Sequence, residues 1–157
     1  MSTLTVYPPA KINLSLKITG KRDDGFHELE TLVLPLPGLT DELHFEAATK
    51  FTLHCDTPGV PTNQSNLVSR ALRLFEENTG KEAPYRVTLK KRIPHGAGLG
   101  GGSSDAASTF LALNQLTGAS VPLSRLAQWA GELGSDIPLF IYESASWCRG
   151  KGEIVEP

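Results

Sequence analysis

Apolar and polar positions alternate along several stretches of the chain. Residues 4–7, Leu-Thr-Val-Tyr, predict a short strand stopped by Pro8-Pro9, and residues 11–19 predict a second. In the second, Ile12, Leu14, Leu16 and Ile18 fall on one face and Lys11, Asn13, Ser15 and Lys17 on the other. Arg22-Asp23-Asp24-Gly25 predicts a hairpin turn, and extended structure resumes over residues 26–36. Residues 41–47 and 51–55 predict a hairpin across Ala48-Thr49-Lys50, with Leu43, Phe45, Phe51 and Leu53 inward. Residues 85–93 alternate strictly, as in an antiparallel sheet covered on one face. Residues 142–157 predict a last hairpin, turning near Arg149-Gly150-Lys151-Gly152.

Elsewhere the apolar period is helical. Leu67, Val68, Ala71, Leu72, Leu74 and Phe75 form one stripe of a helix over residues 67–78, capped by Ser65 or Asn66 and ended by Gly80. Ser103, Ser104 and Asp105 suit a helix N-terminus, and Ala106, Ala107, Phe110, Leu111 and Leu113 follow up to a stop at Gly118. Leu126, Ala130 and Leu133 mark a third helix, opened by Leu123 or Ser124 and stopped by Gly134. These elements predict an α+β fold: a mixed, mainly antiparallel sheet with helices 67–78, 104–117 and 124–133 packed on one side.

At 157 residues, 39% hydrophobic and 20% charged, the chain is one ordinary globular domain with enough length for a core. A net charge of −2 gives no reason to expect nucleic acid or an anionic membrane as partner. The one basic run, Lys90-Lys91-Arg92, reads as a solvated strand face, with added positive potential at the glycine loop just after it as the alternative. Cys55 and Cys148 lack any metal-type spacing and predict free thiols in a reducing cytoplasm. No apolar run approaches the roughly 20 residues of a membrane span.

The chemistry concentrates between positions 94 and 106. Five glycines, at 96, 98, 100, 101 and 102, can take backbone angles closed to other residues and let a large anion reach main-chain N–H groups. The helix behind them would turn its free N–H groups and positive dipole end toward the same anion. A P-loop is excluded, because no Lys lies between Arg92 and Arg125. A dinucleotide fold is disfavoured, because the preceding strand is half polar and the region near Val121-Pro122 holds no carboxylate. The alternative, a flexible hinge, does not call for so dense a cluster ending in a helix cap.

The run Pro94-His95-Gly96-Ala97-Gly98-Leu99-Gly100-Gly101-Gly102-Ser103-Ser104-Asp105-Ala106 resembles the phosphate loop of the GHMP small-molecule kinases. Its triple glycine, with Pro9-Ala10-Lys11-Ile12-Asn13-Leu14 and Asp24-Gly25-Phe26-His27-Glu28-Leu29, looks most like the members that phosphorylate a cytidyl diphosphate methylerythritol for isoprenoid synthesis. The resemblance runs from about residue 8 to the last, and implies an N-terminal domain whose usual second lobe lies beyond this sequence. It implies ATP bound by Pro94 to Ser104 with Asn66 at the adenine, and Mg²⁺ on a hydroxyl of Ser103 or Ser104. It also implies Asp136 as catalytic carboxylate and Lys11 as its paired cation, a pairing that would keep both ionised. Asn13, Phe26 and His27 would bind the substrate, Phe26 by stacking on the cytosine and His27 by hydrogen-bonding it. From position alone Lys11 and His27 read as surface residues and Asn66 as a cap. Asp136 reads as a partly buried group that either caps a turn near Pro138 or does chemistry. Two other readings stay open: a GHMP kinase of different substrate, and a nucleotide- or RNA-binding module without catalysis.

Overall fold

The computed structural model describes residues 2–157. In chain order it forms β1 (Thr3–Val6), β2 (Pro9–Lys21), β3 (His27–Thr40), β4 (Glu42–Ala47), β5 (Thr52–Cys55) and α1 (Leu67–Thr79). Then come β6 (Tyr85–Lys90), α2 (Gly101–Thr117), α3 (Leu123–Leu133), α4 (Ile137–Ile141), β7 (Ser146–Gly150) and β8 (Ile154–Glu156). The α+β expectation holds, but the strands form two four-stranded sheets, ordered β1-β4-β6-β5 and β2-β3-β7-β8. Every pairing is antiparallel except β5 with β6.

That exception corrects the hairpin expected between residues 41–47 and 51–55. β6 lies between β4 and β5, and the chain leaves β5, passes through α1 and returns as β6 in parallel. The alternation was right and the partner wrong, because the pattern of one strand does not say which strand sits beside it. Leu43, Phe45, Leu53, Val87 and Leu89 still point inward and are buried, against Val68, Leu72 and Phe75 of α1.

α1 is bounded by local chemistry. The Asn66 side chain accepts the Val68 N–H at 2.8 Å, and Gly80, at φ 69°, ends the helix. α2 is the pillar of the domain: it packs against β1, β2 and β4 and against all three other helices. Its small residues Ala106, Ala107 and Ala112 are buried, as are Phe110 and Leu113. It begins at Gly101, three residues before the predicted Ser104, with Gly100 at the cap position and no side-chain cap. The serines therefore sit inside the first turn and Asp105 just beyond it, rather than ahead of the helix.

β2 departs from its predicted faces. Asn13 pairs with Val33 and Ser15 with Leu32, so Leu14 is an extra residue in the ladder, a β-bulge. One extra residue inverts the alternation beyond it. Leu16 and Ile18 consequently share the face of Lys11 and Asn13, and they are 61% and 59% exposed instead of forming a covered apolar face. The last hairpin, β7 with β8, forms where predicted.

Candidate functional site

Gly96, Gly98 and Gly100 have φ of 74°, 73° and 71°, the left-handed region that glycine enters without a Cβ penalty. At Gly96 and Gly98 a side chain would meet open space, whereas a Cβ on Gly100 would lie 2.8 Å from the Phe140 ring and 3.3 Å from Lys11 Cγ. The loop is thus packed onto α4 and β2 at its last turn. The Lys11 N–H donates to the Leu99 carbonyl at 2.9 Å, tying the strand that carries Lys11 to the glycine loop. The Ser104 N–H is the first in the helix ladder, donating to Gly100 O at 2.9 Å. Those of Gly101, Gly102 and Ser103 precede it, the positions for which a helix supplies no acceptor of its own.

A cavity of about 240 Å³ opens here, lined by His95, Gly96, Gly98, Gly100, Gly101 and Ser103 among others. Beside it lies a larger one of about 560 Å³, lined by Val60, Asn66, Leu67, Ile93, Pro94 and Asp105 among others. Of the residues expected at the nucleotide, Ala97 lines neither cavity. Ser104 does not either: it is fully buried, and its hydroxyl has no hydrogen-bond partner. Ser103 is therefore the better placed of the two serines to reach a bound group.

Lys91 lines both cavities and corrects the solvated reading at that position, whereas Lys90 and Arg92 are exposed as expected. Its ammonium donates to Asp41 at 2.5 Å and to Asp105 at 2.9 Å. Asp41 is fully buried and also accepts the N–H groups of Arg92 and Ile93, at 2.7 and 2.9 Å. The cluster ties the β3–β4 junction, the start of the glycine loop and the N-terminal part of α2 to one another. Burial by itself would raise the Asp41 pKa, but hydrogen bonding from Asp105, Ile93 and Lys91 outweighs it and holds Asp41 below the usual carboxylate range. At Asp105 burial dominates, the neighbouring Asp41 adds to it, and the carboxyl is pushed well above that range. Burial works against the Lys91 charge, yet the two carboxylates prevail and its pKa is raised. The sequence held a signal for this: Lys91 falls on the inward parity of Tyr85, Val87, Leu89 and Ile93.

Lys11 and Asn13 point the same way, as predicted, with the ammonium donating to Asn13 Oδ1 at 2.6 Å. The Asn13 amide donates to the Thr31 hydroxyl at 2.8 Å, which donates to the Ser15 carbonyl. Asp136 precedes α4 without making a side-chain cap bond, and it is exposed, not partly buried as expected. Among the described residues no ion pair joins it to Lys11. Both nonetheless act on one thiol: burial first and then the Asp136 charge push Cys148 up to about 11, while Lys11 opposes them. Gly152 makes room for the carboxylate, since a Cβ there would stand 3.1 Å from Asp136 Oδ1. Phe26 is 55% exposed, and His27 beside it is exposed too. No group of three His, Cys, Asp or Glu side chains suited to a metal exists among the described residues, and no helix there is long and apolar enough to cross a membrane.

Residues 66–144, from the α1 cap through α4, match the family model described as GHMP kinases N terminal domain. The chain belongs to the GHMP kinase family. This GHMP kinase domain is 48% identical over 155 residues to a 4-diphosphocytidyl-2-C-methyl-D-erythritol kinase of Protochlamydia amoebophila, covering 99% of the chain and 54% of that relative. It is 45% identical to the chloroplastic kinase of the same name from Mentha piperita, covering 99% of the chain and 39% of that protein. A crystal structure of 4-(cytidine 5'-diphospho)-2C-methyl-D-erythritol kinase superposes with a TM-score of 0.82 at 42% identity, covering 98% of the chain and 55% of that structure. The GHMP kinase domain spans about half the length of the bacterial relative and of that structure. A mevalonate kinase from Methanococcus jannaschii, with a TM-score of 0.72 at 12% identity, shares the fold.

Proposed function

We propose that this domain binds ATP and transfers its γ-phosphoryl group to the 2-hydroxyl of 4-diphosphocytidyl-2-C-methyl-D-erythritol. The observation that carries the reading is the convergence at Gly100: the glycine loop, the Lys11 strand and the helix that Asp136 precedes pack on one another there. The names of relatives alike over nearly the whole chain support the substrate.

In this reading the 240 Å³ cavity receives the phosphates and the 560 Å³ cavity the adenosine, with Asn66 on its wall. Asp136 takes the proton of the attacking hydroxyl as general base; its exposure and lack of a cap bond leave the carboxylate available. The bond from the hydroxyl oxygen to the γ-phosphorus forms, the bond to the β–γ bridging oxygen breaks, and ADP leaves. Lys11, held by Asn13, faces the developing alkoxide. Phe26 and His27 hold the base, Phe26 by its exposed ring face. Ser103 would offer a hydroxyl to Mg²⁺, which neutralises phosphate charge and keeps most of its own waters, so the lack of a carboxylate cluster is compatible with it. The domain works on small molecules in the cytoplasm.

The test is ADP release by this chain with Mg-ATP and the cytidyl substrate, beside calorimetric titration of ATP alone. Turnover is expected together with ATP binding. Absence of ATP binding refutes the loop assignment, and equal turnover with homoserine or phosphomevalonate refutes the substrate.

A further inference from the structure

The β7–β8 turn carries a cation that the proposed reaction has not used. The ammonium of Lys151 stands 4.8 Å from the centroid of the Phe26 ring, a cation–π distance, and makes no ion pair among the described residues. The next residue, Gly152, abuts Asp136 Oδ1. One turn therefore touches both ends of the proposed site: the aromatic that would take the base and the carboxylate that would take the hydroxyl proton. Register agrees, because Gly150 pairs with Leu29, two residues along β3 from His27.

A molecule lying with its base on Phe26 and its reacting hydroxyl at Asp136 runs its middle past this turn. In the substrate that the relatives' names state, the middle is a diphosphate. The other charges facing the turn are three carboxylates and Arg22, whose guanidinium is engaged by Asp24 at 3.1 Å and Glu28 at 3.1 Å. Glu153 accepts the Lys151 N–H at 2.8 Å, Asp24 lies near enough to feel the Lys151 charge, and Asp136 sits under Gly152. An anion entering here would meet Glu153 and Asp136, and Lys151 is the cation at the turn that no carboxylate engages in an ion pair among the described residues. Arg149, the next cation along the chain, is engaged by Glu156 at 2.5 Å and Glu30 at 3.8 Å.

We infer that Lys151 is a specificity-determining residue that binds the diphosphate linking the two ends of the substrate, while its aliphatic stem and charge hold one face of Phe26 and leave the other for the base. The inference rests on the cytidyl substrate proposed above. It makes Lys151 responsible for a preference for cytidine diphosphates over cytidine.

Calorimetric titration of wild type, Lys151→Met and Lys151→Arg with CDP and with cytidine separates the possibilities. Wild type is expected to prefer CDP. Lys151→Met should bind CDP about tenfold more weakly, the scale of one charge-assisted contact, and bind cytidine within about twofold of wild type. Lys151→Arg should restore most of the CDP affinity, which excludes a folding defect. Equal loss for CDP and cytidine would mean that Lys151 only supports Phe26 and would overturn the inference, as would an unchanged CDP affinity. If wild type binds neither ligand, the base site at Phe26 falls and the inference falls with it. Wild-type preference for CDP that survives in Lys151→Met refutes the inference alone and leaves the substrate reading standing.

Discussion

Replacing Asp41 by Asn tests whether the buried charge cluster holds the glycine loop in place. The asparagine Oδ1 can still accept the N–H groups of Arg92 and Ile93, now at 2.7 and 2.9 Å from the carboxylate. Its amide nitrogen, however, would face the Lys91 ammonium across what is now a 2.5 Å contact, a donor against a donor. Removing one partner of a buried pair costs about 3–5 kcal/mol. Asp105 remains 2.9 Å from Lys91 and takes up the negative charge, which lowers the expected cost to about 2–4 kcal/mol. For a chain of 157 residues each kcal/mol moves the melting temperature by about 2–4 °C, so thermal unfolding should shift down by roughly 4–16 °C. Hydrogen exchange gives the local reading: the amides of Arg92 and Ile93 should lose protection more than those of β4. A melting temperature within about 1 °C of wild type, with exchange at those amides unchanged, would refute the reasoning.

Three further outcomes are expected. Asp136→Asn should abolish turnover while leaving ATP affinity and melting temperature nearly unchanged, because the carboxylate is exposed and makes no cap bond; full activity in that variant removes Asp136 from the mechanism. Gly98→Ala should cost only the left-handed backbone angle, about 1–2 kcal/mol, whereas Gly100→Ala adds a clash 2.8 Å from the Phe140 ring; equal melting temperatures for the two would contradict the packing described. The cluster also sets a pH dependence. The stability from Asp41, whose pKa is depressed, is present above its unfolded value and lost as pH falls through its folded one. Lys91, raised, contributes below its unfolded value and loses its contribution as pH rises through the folded one. Asp105, raised, has the sign opposite to Asp41, its contribution fading as pH climbs from its unfolded value toward the folded one. Asp105→Asn should therefore gain stability relative to wild type as pH rises above the ordinary carboxylate range of about 4, measured by melts at each pH.

What the sequence determined by itself was local. The Asn66 cap, the Gly80 stop, the inward parity of Leu43, Phe45, Val87 and Leu89, and the turn before β8 depend on neighbours a few residues away. So does the case for an anion at the glycine loop, a proposal that follows from backbone freedom and a helix start. What only the tertiary structure decided was which distant groups meet. The insertion of β6 between β4 and β5 depends on the whole sheet, and the bulge at Leu14 that turns Leu16 and Ile18 to the Lys11 face depends on the partner strand. The same holds for charge. Lys91 looked solvated because its counter-ions Asp41 and Asp105 lie 50 residues before it and 14 after, and a pair that forms across such separations leaves no periodic trace. Asp136 looked half-buried beside an apolar run, yet the run folds inward as α4 and turns the carboxylate out. Burial is a property of what packs against a residue, and chain neighbours alone do not specify it.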